Sequence, residues 1–158
     1  MFDGTWAGTM CLTEPDAGSD TLSASTLAVK EGNEWVINGS KIFITNAACD
    51  MTMGVTVQAI TGTRDNGKPE YSCILVEAGT PGFKAVPMHK KMMWRASNTA
   101  ELYFDDVRVP KTNILGKKGD GFHQMLSTLD GGRLSIGAMG LGGAQGAYDL
   151  ALKYARER

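Results

Sequence analysis

The hydrophobic pattern of this chain changes period at Pro110, and no other feature constrains the fold as strongly. Before Pro110, short apolar runs alternate with polar residues, as in half-buried strands. After it, Phe122, Met125, Leu126 and Leu129 follow the i, i+3, i+4, i+7 spacing of a helical face. The sequence therefore predicts a β-rich part followed by a helical part.

Turn signals divide residues 8–109 into short strands. Asn38-Gly39 lies between two apolar runs, and it predicts a type I′ hairpin turn because both central residues of that turn need a positive φ. Residues 53–59 alternate as a half-buried strand does, and residues 71–76 supply its expected hairpin partner. Several short strands separated by turns are typical of an antiparallel β-sandwich or β-barrel.

The last of these strands changes its phase of alternation. Leu102 and Phe104 follow one phase. Val107 and Val109 follow the opposite phase. The change falls at Asp105-Asp106, which predicts a bulge or corner there.

Glycine is concentrated in a second helical stretch, residues 134–158. Each glycine in a helix interior costs about 1 kcal/mol relative to alanine. Gly137, Gly140, Gly143 and Gly146 recur every third residue, which predicts a flat strip where another backbone packs closely. Because this chain offers no further helix to fill the strip, we expect it to be a piece of something larger.

Composition excludes several classes of protein. The 158 residues carry 16 basic and 17 acidic side chains, so the formal charge of −1 gives no electrostatic footprint for nucleic acid or an anionic membrane. Three distant cysteines predict neither a disulfide framework nor a zinc site, and we expect no metal. No apolar run approaches the roughly 20 residues of a membrane-spanning helix. Met1-Phe2-Asp3-Gly4 does not resemble a secretory signal, so we expect a soluble intracellular protein.

Three stretches carry candidate binding chemistry, and each has a plainer structural interpretation. Residues 13–19 offer hydroxyls and a glycine that lets backbone amides approach a pyrophosphate, or they form an ordinary turn. Phe43 and Thr45 share one face of a strand, where they suit a flat cofactor or simply the core. Asp130 and Arg133 suit a purine or phosphate ligand, or they form a helix-stabilising pair.

The order of these motifs resembles the acyl-CoA dehydrogenase family. Residues 10–20 look like its first signature, 38–46 like its second and 95–110 like its third. Residues 115–122 and 129–133 continue in the family's order and spacing. The last of these segments is most similar to short-chain, butyryl-type members.

The resemblance implies a mainly β fold. An antiparallel β-barrel or sandwich middle domain would span residues 1–112, and residues 113–158 would begin a truncated C-terminal helical domain with one or two α-helices of a bundle. Members of the family are usually homotetramers when full length. The expected compartment is the cytoplasm, or the mitochondrial matrix in a eukaryote.

The resemblance also implies FAD as the cofactor and acyl-CoA as the substrate. Ser19, Asp130 and Arg133 match positions that contact the acyl-CoA, and no metal is implied. The positions that match FAD contacts are Met10, Leu12, Thr13, Gly18, Ser19, Phe43, Ile44 and Thr45.

By the same resemblance, the activity is α,β-dehydrogenation of an acyl-CoA thioester to the trans-2-enoyl-CoA, as in fatty acid β-oxidation. Hydride passes to flavin N5, and an electron-transfer flavoprotein accepts the electrons. In the family the catalytic glutamate comes either from a later segment of the C-terminal domain or, in some members, from the position directly before the arginine of the 130–133 motif, where this chain has Gly132. We therefore expect no catalytic residue here and no turnover by this chain alone. The alternatives are an acyl-CoA oxidase or nitroalkane-oxidase-like flavoenzyme, and a non-catalytic flavin- or CoA-binding module.

Overall fold

The computed structural model describes residues 6–158. The start of the chain, on which the expectation about a secretory signal rests, lies outside the described residues. The described part contains strands followed by a single long helix, with short 3-10 turns at Thr21–Ser23 and Lys111–Asn113. The strands are β1 (Ala7–Cys11), β2 (Leu27–Glu31), β3 (Glu34–Thr45), β4 (Thr52–Thr63), β5 (Pro69–Glu77), β6 (Phe83–Pro87) and β7 (Thr99–Pro110), and the helix is α1 (Gly121–Glu157).

The strands form one curled sheet in the order β1-β4-β2-β3-β7-β6, with β5 also paired to β4. Neighbours in the chain pair antiparallel as β2–β3, β4–β5 and β6–β7, and β3–β7 is antiparallel too. Strands β1 and β2 run parallel to β4. The expected fold class, a mainly β domain followed by the first helix of a helical domain, is confirmed.

The predicted hairpin turn at Asn38-Gly39 is wrong. Strand β3 runs straight through this pair, and the hairpin between β2 and β3 turns at Gly32-Asn33 instead. Gly39 has a φ of +145°, and a Cβ there would lie 2.7–2.9 Å from atoms of Thr26. The glycine therefore serves a close approach between two backbones within the sheet, which no turn propensity describes.

The predicted bulge at Asp105-Asp106 is confirmed, and Asn38 belongs to it. The register between β3 and β7 shifts at Asn38, and Asp106 has a φ of +48°. The Asn38 amide donates to Asp106 Oδ1 at 2.9 Å, and Asn38 Oδ1 accepts from the Asp106 N–H at 2.9 Å. Because two β7 residues oppose one β3 residue, the apolar phase reverses and both halves of β7 point into the core.

The core lies on the inner face of the curled sheet. Strand β4 buries Val55, Val57 and Ala59 as its pattern predicts, but Gln58 is also buried and Met53 is exposed. Strand β5 is its hairpin partner, with Gly67 at a φ of +76° in the connecting turn. A single cluster joins residues from most strands, including Ile37, Val57, Ile74, Leu102 and Val107, each fully buried.

The loop that leads into α1 is hydrogen-bonded to β5 and to the turn that precedes it. The Gly119 N–H donates to Ser72 Oγ at 3.0 Å, and Arg64 Nη2 donates to the Gly119 carbonyl at 3.0 Å. At Gly121, a Cβ would lie 2.5 Å from the backbone of Ser72. The loop before the helix is thus bonded to the sheet, and α1 begins directly after Asp120.

The chain divides into two compact units, one ending at Met125 and the other comprising Leu126–Arg158. The two predicted helical stretches are one uninterrupted helix, Gly121–Glu157, that includes Asp130 and Arg133. A Cβ added at any of its glycines 137, 140, 143 and 146 would meet nothing within 4 Å, and Leu134, Leu141 and Leu150 are strongly exposed. Among the residues that the structure describes, no helix has both the length and the apolar character needed to cross a membrane.

Candidate functional site

The loop after β1 is a tight turn with an open edge. The Glu14 N–H donates to the Ala17 carbonyl at 2.9 Å, and the Ala17 N–H donates back to the Glu14 carbonyl at 3.1 Å. Gly18 and Ser19 follow this turn and are exposed. A Cβ at Gly18 would meet nothing within 4 Å, so the backbone here is accessible to a ligand.

The end of β3 presents an aromatic ring beside a threonine. The register against β7 shifts between Lys41 and Ile44, and Phe43 takes a φ of +60° in this bulge. The Phe43 side chain is 61% exposed, Thr45 is exposed, and Ile44 between them is buried. An exposed ring held by a strained backbone is costly unless something covers it, which favours a binding role over the core alternative.

Hydrogen bonds join the loop and the strand end side by side. The Ile42 N–H donates to the Thr13 carbonyl at 3.0 Å. The bulge makes this possible because it releases Ile42 from the β3–β7 ladder. Thr9 Oγ1 donates to the Thr45 carbonyl at 2.7 Å, so β1 also lies along the end of β3. The structure therefore brings together the two segments that the sequence marks as separate motifs.

A buried ion pair lies beneath this junction. Lys41 Nζ is 2.8 Å from Glu14 Oε1, and the two side chains are 0% and 4% exposed. Lys41 Nζ also donates to the Leu12 carbonyl at 3.2 Å. Glu14 accepts from the N–H and hydroxyl of Ser25 at 2.6 and 2.8 Å, and from the Thr26 N–H at 3.0 Å.

The surroundings of the pair shift the pKa of both groups. Burial alone raises the pKa of Glu14, but hydrogen bonds from Lys41, Thr26 and Ser25 outweigh it and hold the value at about 2. Burial lowers the pKa of Lys41, and the hydrogen bond and charge of Glu14 oppose that change. Glu14 is therefore ionised at neutral pH and acts as an acceptor for all its partners.

Sequence reasoning assigned no role to Glu14 or Lys41, although both lie inside the motifs. The available signal was a lysine within the apolar run of β3, since lysine is almost never fully buried without a partner. The partner was not visible from spacing, because Glu14 lies 27 residues away along the chain.

The other candidate residues differ in exposure. Leu12, directly after β1, and Ile44, in β3, are buried, so they offer a ligand their backbone more than their side chains. Met10 and Thr13 are half-buried. Mixed hydroxyls, open backbone at Gly18 and the exposed Phe43 ring fit a group that has both a flat ring system and phosphates.

Asp130 and Arg133 belong to the second unit, where they contact each other. Arg133 Nη1 is 2.9 Å from Asp130 Oδ1, one helical turn away, and both side chains are largely exposed. An exposed pair at this spacing contributes little to stability. The arrangement agrees with the helix-stabilising alternative and leaves both groups accessible to a ligand.

The described histidine, cysteine and acidic side chains show neither a metal site nor a reactive thiol at Cys11 or Cys73. Over residues 6–158, no group of three or more His, Cys, Asp or Glu side chains is arranged to hold a metal ion. All three cysteines are free, and burial raises the pKa of Cys11 to about 12 and that of Cys73 to about 11. The thiols of Cys11 and Cys73 are therefore protonated at neutral pH and do not act as nucleophiles.

Comparison with known proteins covers nearly the whole chain. Residues 9–107 match the family model for the acyl-CoA dehydrogenase middle domain, and residues 119–158 match the model for the acyl-CoA dehydrogenase C-terminal domain. The chain is 49% identical over 158 residues to the probable acyl-CoA dehydrogenase YngJ of Bacillus subtilis, covering 100% of this chain and 41% of that protein.

Two further comparisons agree with this match. The short-chain specific acyl-CoA dehydrogenase of Clostridium acetobutylicum is 44% identical over 158 residues, which is 100% of this chain and 41% of that protein. A solved structure described as the electron transferring flavoprotein of Acidaminococcus fermentans, in work on flavin-based electron bifurcation, superposes with a TM-score of 0.89 at 44% identity. That match covers 99% of this chain and 40% of the other. This chain thus spans about 41% of the length of its curated relatives.

Proposed function

This chain belongs to the acyl-CoA dehydrogenase family, and from that premise we propose that the protein is an FAD-dependent acyl-CoA dehydrogenase. The reaction is α,β-dehydrogenation of an acyl-CoA thioester to the trans-2-enoyl-CoA. Similarity to a short-chain specific relative supports a short acyl chain and a place in β-oxidation. Matches to separate middle and C-terminal domain models support domains at residues 1–112 and 113–158.

One observation carries the proposal: the Thr13–Ile42 hydrogen bond joins the two motifs into a single face. That face displays the Phe43 ring, the Thr45 backbone region and the open edge at Gly18 and Ser19. When bound, FAD supplies the hydride-accepting ring that no amino acid side chain provides. The residues of this chain bind and orient it.

We assign the groups of this face as follows. The Phe43 ring packs against the flavin, and Thr45 hydrogen-bonds to it. Backbone amides near Gly18 and the hydroxyls of Thr13 and Ser19 hold the polar parts of the cofactor. Met10, Leu12 and Ile44 support these contacts, mainly through their backbones.

The substrate contacts are Ser19, Asp130 and Arg133. Arg133 is a permanently charged group with planar donors, suited to the phosphates and purine of coenzyme A. Asp130 accepts from Arg133 and is free on its other oxygen to accept from an amine. The position before Arg133 is Gly132, which has no side chain to act as a base, so the base of the reaction comes from residues beyond this span.

Electrons leave to an electron-transfer flavoprotein, and the complete protein is a homotetramer in the cytoplasm or mitochondrial matrix. The likeness to a structure from work on an electron transferring flavoprotein supports the choice of acceptor.

The test uses the complete natural protein, purified and scanned for a flavin absorbance band. Butyryl-CoA is added with an electron-transfer flavoprotein or with O₂ as the acceptor. We expect bound FAD and reduction of the flavoprotein. Reduction of O₂ alone identifies an oxidase, and a protein without flavin is a non-catalytic module, so either result overturns the proposal.

A second arm tests the residues. Phe43→Leu and Thr45→Val are expected to weaken FAD binding, while Tyr103→Phe, at an exposed position on β7, serves as the matched control. The 158-residue chain by itself is expected to give no butyryl-CoA-dependent dye reduction, and robust turnover by it would contradict the absence of a base.

A further inference from the structure

We propose that the buried Glu14–Lys41 ion pair is a positioning device that holds the two cofactor-facing segments in the register that FAD requires. The inference rests on the proposed function and adds residues that the family resemblance did not assign. Neither side chain reaches the exposed face, since both are buried beneath it. They are therefore positioning residues, not catalytic ones.

The geometry supports this role because each partner of the pair bonds a different segment. Lys41 lies in β3 and donates two hydrogen bonds to the segment that follows β1, one to the Leu12 carbonyl and one to the Glu14 carboxylate. Glu14 lies in the loop after β1 and accepts hydrogen bonds from the segment before β2, from the N–H and hydroxyl of Ser25 and from the Thr26 N–H. Three stretches of chain are thus fixed at one point.

Neighbouring contacts extend this fixed point to the exposed face. Residue 42 follows Lys41 directly, and its N–H bonds the carbonyl of Thr13, the residue before Glu14. A tilt of the ion pair therefore moves the Ile42–Thr13 bond, and with it Phe43 on one side and Ser19 on the other. The hydroxyl of Tyr71 bonds the carbonyls of Leu22 and Ala24, which holds the third stretch from beneath.

A stabilising role alone does not account for the pair. Taking two charges out of water costs about as much as their attraction returns, and apolar residues of similar shape often replace such pairs without loss. What apolar residues do not reproduce is a set of directed bonds to the Leu12 carbonyl, Ser25 and Thr26. The pair is thus suited to fixing geometry.

The test compares Glu14→Gln/Lys41→Met with the wild type in the complete natural protein. The double variant keeps the shape and removes the charges, so the unfolding midpoint is expected to stay near that of the wild type. We expect FAD to bind at least about tenfold more weakly, a step equal to 1.4 kcal/mol. Glu14→Gln alone keeps one acceptor oxygen for Lys41 but leaves that buried ammonium without its counter-charge, so it is expected to lower both the unfolding midpoint and the FAD affinity. If the double variant does not fold, the loss of FAD affinity in Glu14→Gln is compared with that in Val109→Ala relative to the loss of stability in each.

A second readout needs no cofactor. Hydrogen exchange at the Ile42 amide is expected to accelerate in the variants, while exchange at Val57 in the core of β4 stays unchanged. Val109→Ala is the matched control, because it removes buried volume from β7 without touching the junction. It is expected to lower the unfolding midpoint with no change in FAD affinity or Ile42 exchange.

The outcomes separate the two proposals. A wild-type protein that binds no FAD overturns the proposed function, and Ile42 exchange then decides the positioning role alone. Unchanged Ile42 exchange in both variants overturns the positioning role. The positioning role is also overturned if the loss of FAD affinity, relative to the decrease in the unfolding midpoint, is the same in the double variant and in Val109→Ala.

Discussion

Replacing Gly121 with alanine adds a methyl group where the first residue of α1 touches β5. The new Cβ would lie 2.5 Å from both Cα and C of Ser72 and 2.8 Å from the Cys73 nitrogen. Real Cβ contacts are ordinary from 3.4 Å, so backbone must move by nearly an ångström. The movement is resisted because the Leu115 N–H bonds the Cys73 carbonyl at 2.8 Å and β5 is paired along its length with β4.

The expected magnitude follows from two opposing effects. Overpacking a tight site costs about 1–3 kcal/mol. The higher helix propensity of alanine opposes this loss by stabilising the helix by at most about 1 kcal/mol. We expect the free energy of unfolding to fall by about 1–2 kcal/mol, which lowers Tm by roughly 2–8 °C for a chain of this size.

Urea unfolding followed by tryptophan fluorescence measures this change, because Trp35 is buried in the sheet. Gly137→Ala is the matched control in the same helix, where an added Cβ meets nothing within 4 Å. It is expected to strengthen the helical circular dichroism signal of the 158-residue chain. A Gly121→Ala protein as stable as the wild type would refute the steric reasoning.

Three further predictions concern other contacts. Glu14 has a pKa of about 2 against an ordinary 4.5, so its stabilisation is complete above about pH 4.5 and disappears as the pH falls through 2. We expect urea titrations to show a loss of about 3 kcal/mol over that range in the wild type and little in Glu14→Gln. Tyr71→Phe removes the bonds to Leu22 and Ala24 and is expected to cost about 1 kcal/mol in the same assay. Gly82→Ala is expected to lower Tm measured by calorimetry, because φ is +82° and a Cβ would lie 2.1 Å from the Asp105 carbonyl oxygen.

The fold could be predicted from the sequence wherever buried residues recur with the spacing of a strand or a helix. Strand β4 buries Val55, Val57 and Ala59, and the sequence shows this apolar alternation directly, although it does not reveal that Gln58 is buried as well. The phase change at Asp105-Asp106 was readable for the same reason. Local turn chemistry was less informative, since Asn38-Gly39 satisfies the hairpin rule yet serves a bulge and a close approach to Thr26.

The candidate site was readable only as separate motifs. Residues 13–19 and 43–45 could be marked as binding segments, but their contact depends on a bulge that frees the Ile42 N–H. The Glu14–Lys41 pair could not be predicted, because the two buried charges are stabilised by hydrogen bonds to residues 12, 25 and 26, which are brought together only in the folded chain. The lysine within the apolar run of β3 signals a buried partner, but the identity of that partner is set by the assembled sheet and no local pattern encodes it.

The bulge at Asn38 also bears on the chemical lifetime of the protein. Asparagine followed by glycine is prone to deamidation, because the glycine nitrogen can attack the side-chain amide. Here both polar atoms of the Asn38 amide are held by Asp106, which keeps that amide from turning toward Gly39. In an unfolded chain this protection is lost: ammonia leaves, the resulting succinimide hydrolyses to aspartate or isoaspartate, and the new carboxylate would face that of Asp106 on refolding. Molecules that age while unfolded would thus regain the β3–β7 register less readily than fresh ones.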